Sequence, residues 1–162
     1  MMLILISDAN IIIDMEEGNL IDLFFSLPHS FKVPDILYYD ELEEQHSNLL
    51  SKGLTLGELS SQTLLFASRI SETVTGPSRN DCFALSLAKQ EECPLLTGDK
   101  ALRELAVAEG VEVKGTVWVV EELINHNLIN IAEAKNAYDN MRRAGRRLPW
   151  DIAFRRLEEL GL

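Results

Sequence analysis

The sequence predicts a three-layer α/β/α fold with a central parallel sheet and a helical C-terminal extension. Three observations predict it. Short aliphatic runs at residues 3–6 and 95–96 read as strands buried on both faces. Between and after them, apolar residues recur at helical spacing, so strands alternate with helices. Both runs stop abruptly in turn residues and an aspartate, Ser7-Asp8-Ala9-Asn10 and Thr97-Gly98-Asp99.

The elements follow in order. Gly18-Asn19 breaks the pattern after the first strand, and Asp14, Glu16 and Glu17 read as first-turn helix acids. Leu20, Leu23, Phe24 and Leu27 share a helical face that ends at Pro28. Phe31-Lys32-Val33 is a strand. Pro34 suits a first helical turn and Asp35 its positive end. Ile36, Leu37, Tyr39, Leu42 and Leu49-Leu50 carry that helix to Gly53. Leu54-Thr55-Leu56 is a further strand, and a helix spans about residues 61–71. After the loop Thr75-Gly76-Pro77-Ser78, either Ser78 or Asn80 caps a helix through Ala84, Leu85, Leu87 and Ala88. The strand at Pro94-Leu95-Leu96-Thr97 leads to a helix over 100–108, closed by Gly110. Val111-Glu112-Val113 is an edge strand. Helices then begin at Gly115-Thr116 (to about 127), at 131–144 and at 149–160.

Composition bounds the function. The 162 residues are 46% hydrophobic, which suits one domain with a core and not disorder. Residues 1–128 carry the α/β pattern, and 129–162 read as a helical extension packed on the same domain. No apolar run approaches the ~20 residues of a membrane helix, so no membrane association is expected. The first apolar run lacks a basic leader and is broken by Asp8, unlike a signal peptide. Cys82 and Cys93 are the only cysteines, with no Cys-x-x-Cys; this suits a reducing cytoplasm and argues against structural zinc. The net charge of −11 speaks against bulk attraction to nucleic acid. The charge is uneven, however: residues 129–162 hold seven Lys/Arg and five Asp/Glu.

The strand-ending acids suggest a site. Parallel strands end on one side of a sheet, where ligands bind in open α/β folds. Asp8 and Asp99 converge there if their strands are neighbours. Asp81 opens the helix before the second of these strands, so it starts on the same side. The helix after Val33 brings Asp40 and Glu41. Acids this crowded cannot all be ionised without a cation, and oxygen ligands without Cys or His suit Mg²⁺ or Mn²⁺. Ser7, Asn10 and Thr97 sit beside them. Taken singly, each Asp has the simpler reading of a helix cap or turn residue.

Other candidates are plainer. His29, His46 and His126 are scattered and read as surface or satisfied histidines. Glu43, Glu44, Glu91, Glu92, Glu121 and Glu122 read as solvated faces, Cys82 as a buried thiol, and Trp118 and Trp150 as core or interface residues. There is no P-loop, nucleophile elbow or dinucleotide fingerprint. Arg142, Arg143, Arg146 and Arg147 are the one dense basic cluster, either a solvated helix end or a phosphate contact.

Four motifs stand in order: Ser7-Asp8-Ala9-Asn10; Val33-Pro34 with Asp40-Glu41-Leu42; Asn80-Asp81-x-x-Ala84-Leu85-x-Leu87-Ala88; and Leu95-Leu96-Thr97-Gly98-Asp99-x-x-Leu102. Together they resemble a PIN domain, over about residues 3–128. Gly115-Thr116 is similar to the family's late segment. The resemblance implies a Mg²⁺- or Mn²⁺-dependent ribonuclease, in some members the toxin of a toxin–antitoxin pair. It implies Asp8, Glu41, Asp81 and Asp99 as metal-binding and catalytic acids, with Asn10 and Thr97 supporting and Asp40 the rival of Glu41. It also implies an RNA substrate, with an antitoxin protein and a second copy of the chain as the partners such proteins take. Arg103 departs from the pattern, standing where many members carry a further acid. The alternatives are a non-catalytic RNA-binding or protein-interaction module on the same fold, and a haloacid-dehalogenase-like phosphatase. The phosphatase is disfavoured because Asn10 stands where its second Asp is needed.

Overall fold

Five strands pair in one all-parallel sheet: β1 (Ile4–Ser7), β2 (Ser30–Pro34), β3 (Thr55–Gly57), β4 (Leu95–Leu96) and β5 (Val113–Lys114), in the order β3-β2-β1-β4-β5. The computed structural model describes residues 2–46 and 48–161. β1 is central, pairing Leu5 with Phe31 of β2 and Ser7 with Leu96 of β4. From β1 the chain proceeds outward to β2 and β3, then crosses back to β4 on the opposite side. The order in which strands are added therefore reverses between β1 and β4, and a crevice opens beyond their carboxyl ends.

The helices cover both faces. They are α1 (Ala9–Glu17), α2 (Ile21–Phe24), α3 (Asp35–Leu37), α4 (Leu49–Lys52), α5 (Ser61–Thr73), α6 (Arg79–Glu91), α7 (Lys100–Ala108), α8 (Thr116–Asn125), α9 (Ile131–Arg143) and α10 (Trp150–Leu160). α6 packs on β1, β2 and β4 and is flanked by α5 and α7. α1 packs with α2, α8 and α9, and α10 closes over α9. The core between them includes Leu5, Ile6, Ile11, Ile12, Phe31 and Phe83, all essentially inaccessible. No helix among the described residues is long and apolar enough to cross a membrane.

Three local expectations are corrected and one open choice, the cap of α6, is resolved. The helix expected to run to Gly53 stops early: α3 passes into a π-helical turn, Tyr38–Leu42, closed by Glu43 N–H donating to Tyr38 O at 2.9 Å. The polar residues after Leu42 interrupt the apolar stripe, and Asn48 turns left-handed (φ +74°) before α4. Asp14 is not a first-turn acid, because α1 begins directly after Asp8 and buries Asp14 in its second half. Ser78, not Asn80, caps α6. The last strand starts two residues later and ends one residue later than expected, at Val113–Lys114, where Lys114 O accepts from Thr97 N–H.

Candidate metal and nucleic-acid site

The acids sit at the crevice because their strands end there. The Asp8 N–H donates to Leu96 O at 3.0 Å, which locks the carboxyl end of β1 to that of β4. The chain then turns at once into α1, with Asp8 as its cap: Oδ1 accepts the Ile11 N–H at 3.0 Å. Oδ2 accepts the Thr97 hydroxyl at 2.5 Å. Thr97 Oγ1 in turn accepts the Asp99 N–H at 3.1 Å, and the Asp99 carboxylate caps α7 through the Leu102 N–H at 2.8 Å. One hydroxyl thus connects the two strand-ending acids. Both are helix caps, and Asp8 is 1% exposed while Asp99 faces solvent.

The other two acids approach from α6 and the π-helical turn. Asp81 completes a capping box with Ser78: its Oδ2 accepts the Ser78 N–H at 2.9 Å, and its own N–H donates to Ser78 Oγ. That leaves Oδ1 without a hydrogen bond among the described residues. Asn80 Nδ2 donates to Glu41 Oε2 at 3.0 Å, tying the π-helical turn to the start of α6. Asp40 is exposed and makes no such contact.

Burial, with a smaller push from the charges of Asp81 and Asp14, raises the Asp8 carboxyl to about 7 against the Thr97 and Ile11 hydrogen bonds. Among the described residues, no three of the four acids bring oxygens within 4.8 Å of one another. Of the four, Asp99 lines the cleft beside Asn10 and Asp14. Their donor set is all carboxylate oxygen, and one of them is buried beside like charge. Such a set fits a hard divalent cation of the Mg²⁺ or Mn²⁺ kind.

Asp14 escaped the sequence reading. Its Oδ1 accepts Arg146 Nε at 2.6 Å and its Oδ2 accepts the Thr116 hydroxyl at 2.7 Å. Burial raises its pKa, while Arg146 and Thr116 oppose the rise. Arg146 also reaches the Asn10 carbonyl and side-chain oxygens at 3.3 and 3.1 Å. The available signal was spacing: Asn10 and Asp14 lie one helical turn apart and share a face. The arginine that joins them is 132 residues from Asp14 and left no local mark.

The four arginines therefore divide. Arg146 and Arg147 line a cleft of about 450 Å³ with Asn10, Asp14, Asp99 and Lys100. Arg142 faces a separate cleft between α9 and α10, and Arg143 folds back onto Asp139 O and Asn140 Oδ1.

Two acids expected on solvated faces are engaged. Glu121 takes a two-pronged bond from Arg156 at 2.6 and 2.7 Å. Glu122 Oε2 lies 2.9 Å from His29 Nε2 and 3.3 Å from His126 Nε2, the one trio of potential metal ligands within 4.8 Å among the described residues. His29 Nδ1 accepts the Leu3 N–H at 3.1 Å, so the ring proton resides on Nε2 and is donated to Glu122. The trio forms a hydrogen-bonded clamp, and its His29 ring lies 5.9 Å from that of Trp118.

A profile of the DUF3368 family, described as a PIN domain, matches residues 4–161. Among solved structures the chain is similar to a PilT N-terminus domain protein, SSO1118, from Sulfolobus solfataricus P2. The two share 12% identity over 76% of this chain and 94% of that one, with a TM-score of 0.45. No curated protein matches the sequence.

Proposed function

Because the chain belongs to the PIN-domain family, we propose that it is a divalent-metal-dependent ribonuclease with Asp8, Glu41, Asp81 and Asp99 as its metal-binding acids. PIN domains are nuclease-type domains that typically use divalent metals and commonly bind RNA and antitoxins. The observation that carries this reading is Asp8: a buried carboxyl at the reversal point of the sheet, pushed up to about 7 beside other acids. An aspartate in that position costs stability without a cation, which suits a ligand kept for function. The Glu41–Asn80 bond favours Glu41 over Asp40 as the second acid.

When bound, Mg²⁺ or Mn²⁺ would supply Lewis acidity toward a phosphodiester and lower the pKa of the attacking water. The chain's own residues do the rest. Thr97 and the Ile11 N–H hold the Asp8 carboxylate in one orientation. Ser78 holds Asp81, and Asn80 holds Glu41. Arg146 fixes Asn10 at the rim. In this reading residues 1–128 form the nuclease and 129–162 a helical extension packed on it. The protein works in the cytoplasm on RNA, as a toxin countered by an antitoxin protein, and it self-associates as a dimer.

The test is cleavage of a panel of structured RNAs with and without Mn²⁺. Wild type should cut only with metal, and Asp8→Asn and Asp99→Asn should fall to background. RNA bound but uncut with either metal would instead establish the non-catalytic binding module.

A further inference from the structure

Next to the acids lies a second cavity, of about 280 Å³, that shares Asp14, Gly98 and Arg147 with the cleft at Asn10 and Asp99. Its walls are apolar: Val113, Val117, Trp118, Leu148 and Pro149. Its rim is cationic: Arg103, Lys114 and Arg147. Lys100 and Arg146 continue that cationic side into the adjoining cleft. In a chain of net charge −11, five cations along one path are a local reversal of sign. Three acids face this path: Asp14 is held by Arg146 and Thr116, Glu112 lies 3.2 Å from Lys114, and Asp99 lines the adjoining cleft as the cap of α7.

We propose that this cavity receives one nucleotide of the RNA, its base against Trp118 and its two flanking phosphates against Arg103 and Arg147. The proposal rests on the ribonuclease reading of the neighbouring acids. An apolar slot with an aromatic wall and cationic lip is the combination that holds a base and its phosphate together. Thr97 joins the two sites physically, since it lines the cavity and its hydroxyl bonds Asp8. A strand seated in the cavity therefore runs past Asp8 and Asp99. Lys114 now covers the Trp118 ring, with Nζ 4.7 Å from its centroid. A half-exposed cation–π contact is weaker than base–aromatic stacking, so a base displaces the ammonium, which then turns to the phosphate. Arg103, which stands where a further acid is common in the resembling proteins, serves here as a phosphate ligand.

The experiment reads Trp118 directly. Trp118 and Trp150 are the chain's two indoles, so a Trp150→Phe background isolates the first. A short single-stranded RNA, added with Ca²⁺, should quench its fluorescence saturably. The same strand with an abasic residue at each position in turn should lose the quench at one position. Arg103→Gln with Arg147→Gln should weaken binding roughly tenfold and lower the salt slope by about 1.4, two phosphate contacts for a single strand. Leu148→Phe, which fills the cavity, should abolish the quench while Mn²⁺ still raises the melting temperature. Quenching that ignores the abasic position, or RNA bound tightly with no quench, overturns the assignment. Cleavage with Mn²⁺ but no base-dependent quench leaves the nuclease standing and removes the cavity's role. Base-dependent quench without any cleavage keeps the cavity and removes the nuclease.

Discussion

Asp8 caps a helix, anchors Thr97 and sits 1% exposed among like charges, so its proton has a measurable consequence. Its folded carboxyl is pushed up to about 7 from 3.8. Between those values the folded state keeps a proton that the unfolded chain has released. Metal-free stability should therefore fall as pH rises through that window and level off above it. Asp8→Asn keeps an oxygen for the Ile11 N–H and removes the charge. In metal-free buffer near pH 8 it should melt above wild type, by at most about 4 kcal/mol, and the gap should close near pH 4. Mn²⁺ should stabilise wild type and not the variant. Melting curves at several pH values check both. Arg146 is the complementary case. Removing it with Arg146→Ala leaves Asp14 buried and unpaired, which should cost about 2–3 kcal/mol, less than for a fully buried pair. Adding Asp14→Asn should recover part of that loss in denaturant titrations.

At the scale of elements, the strands and their stops were legible because each carries its own local signal. The aliphatic run of β1 followed by Ser7-Asp8, and that of β4 followed by Thr97-Gly98-Asp99, announce both a buried strand and the cap of the next helix. The Ser78–Asp81 capping box was equally local, although two caps fitted the sequence and geometry chose one. The π-helical turn at Tyr38–Leu42 was not legible. Its i→i+5 bond adds one residue to a turn without changing which residues are apolar, and it is what aims Glu41 at Asn80. The approach of α6 to the sheet was also hidden. At Gly57, the last residue of β3, an added Cβ would lie 2.6 Å from a Leu87 methyl and 2.9 Å from Lys32 Cδ. Gly57→Ala should therefore push α6 outward, costing about 1–3 kcal/mol. Because α6 carries Asp81, the same change should weaken Mn²⁺ binding by calorimetry even where the protein remains folded.

Over the whole molecule, charge is sorted. The acids lie at the sheet's carboxyl edge, and a cationic path runs beside them from Lys100 and Arg146 to Arg103. The sequence showed the basic cluster but not its division, because neighbours in the chain leave a helix end in different directions. Arg147 faces the cleft beside Asp99, while Arg142 lines the α9–α10 cleft. Arg147→Gln should flatten the salt dependence of RNA binding by about 0.7, and Arg142→Gln with Arg143→Gln should leave it near wild type. Filter binding at several salt concentrations separates the two. The Arg146 contact with Asp14 has a further meaning in time. Asp8 and Asp14 leave the ribosome before Arg146, and chains emerge at about 5–20 residues per second. Asp14 then waits for a partner 132 residues behind it. Until the turn at Gly145 has been translated, the first helix holds a carboxylate with no counter-charge, and Asn10 has no brace. The edge that gathers the acids is thus finished only after a further 132 residues have been made, and the order of translation itself delays the site.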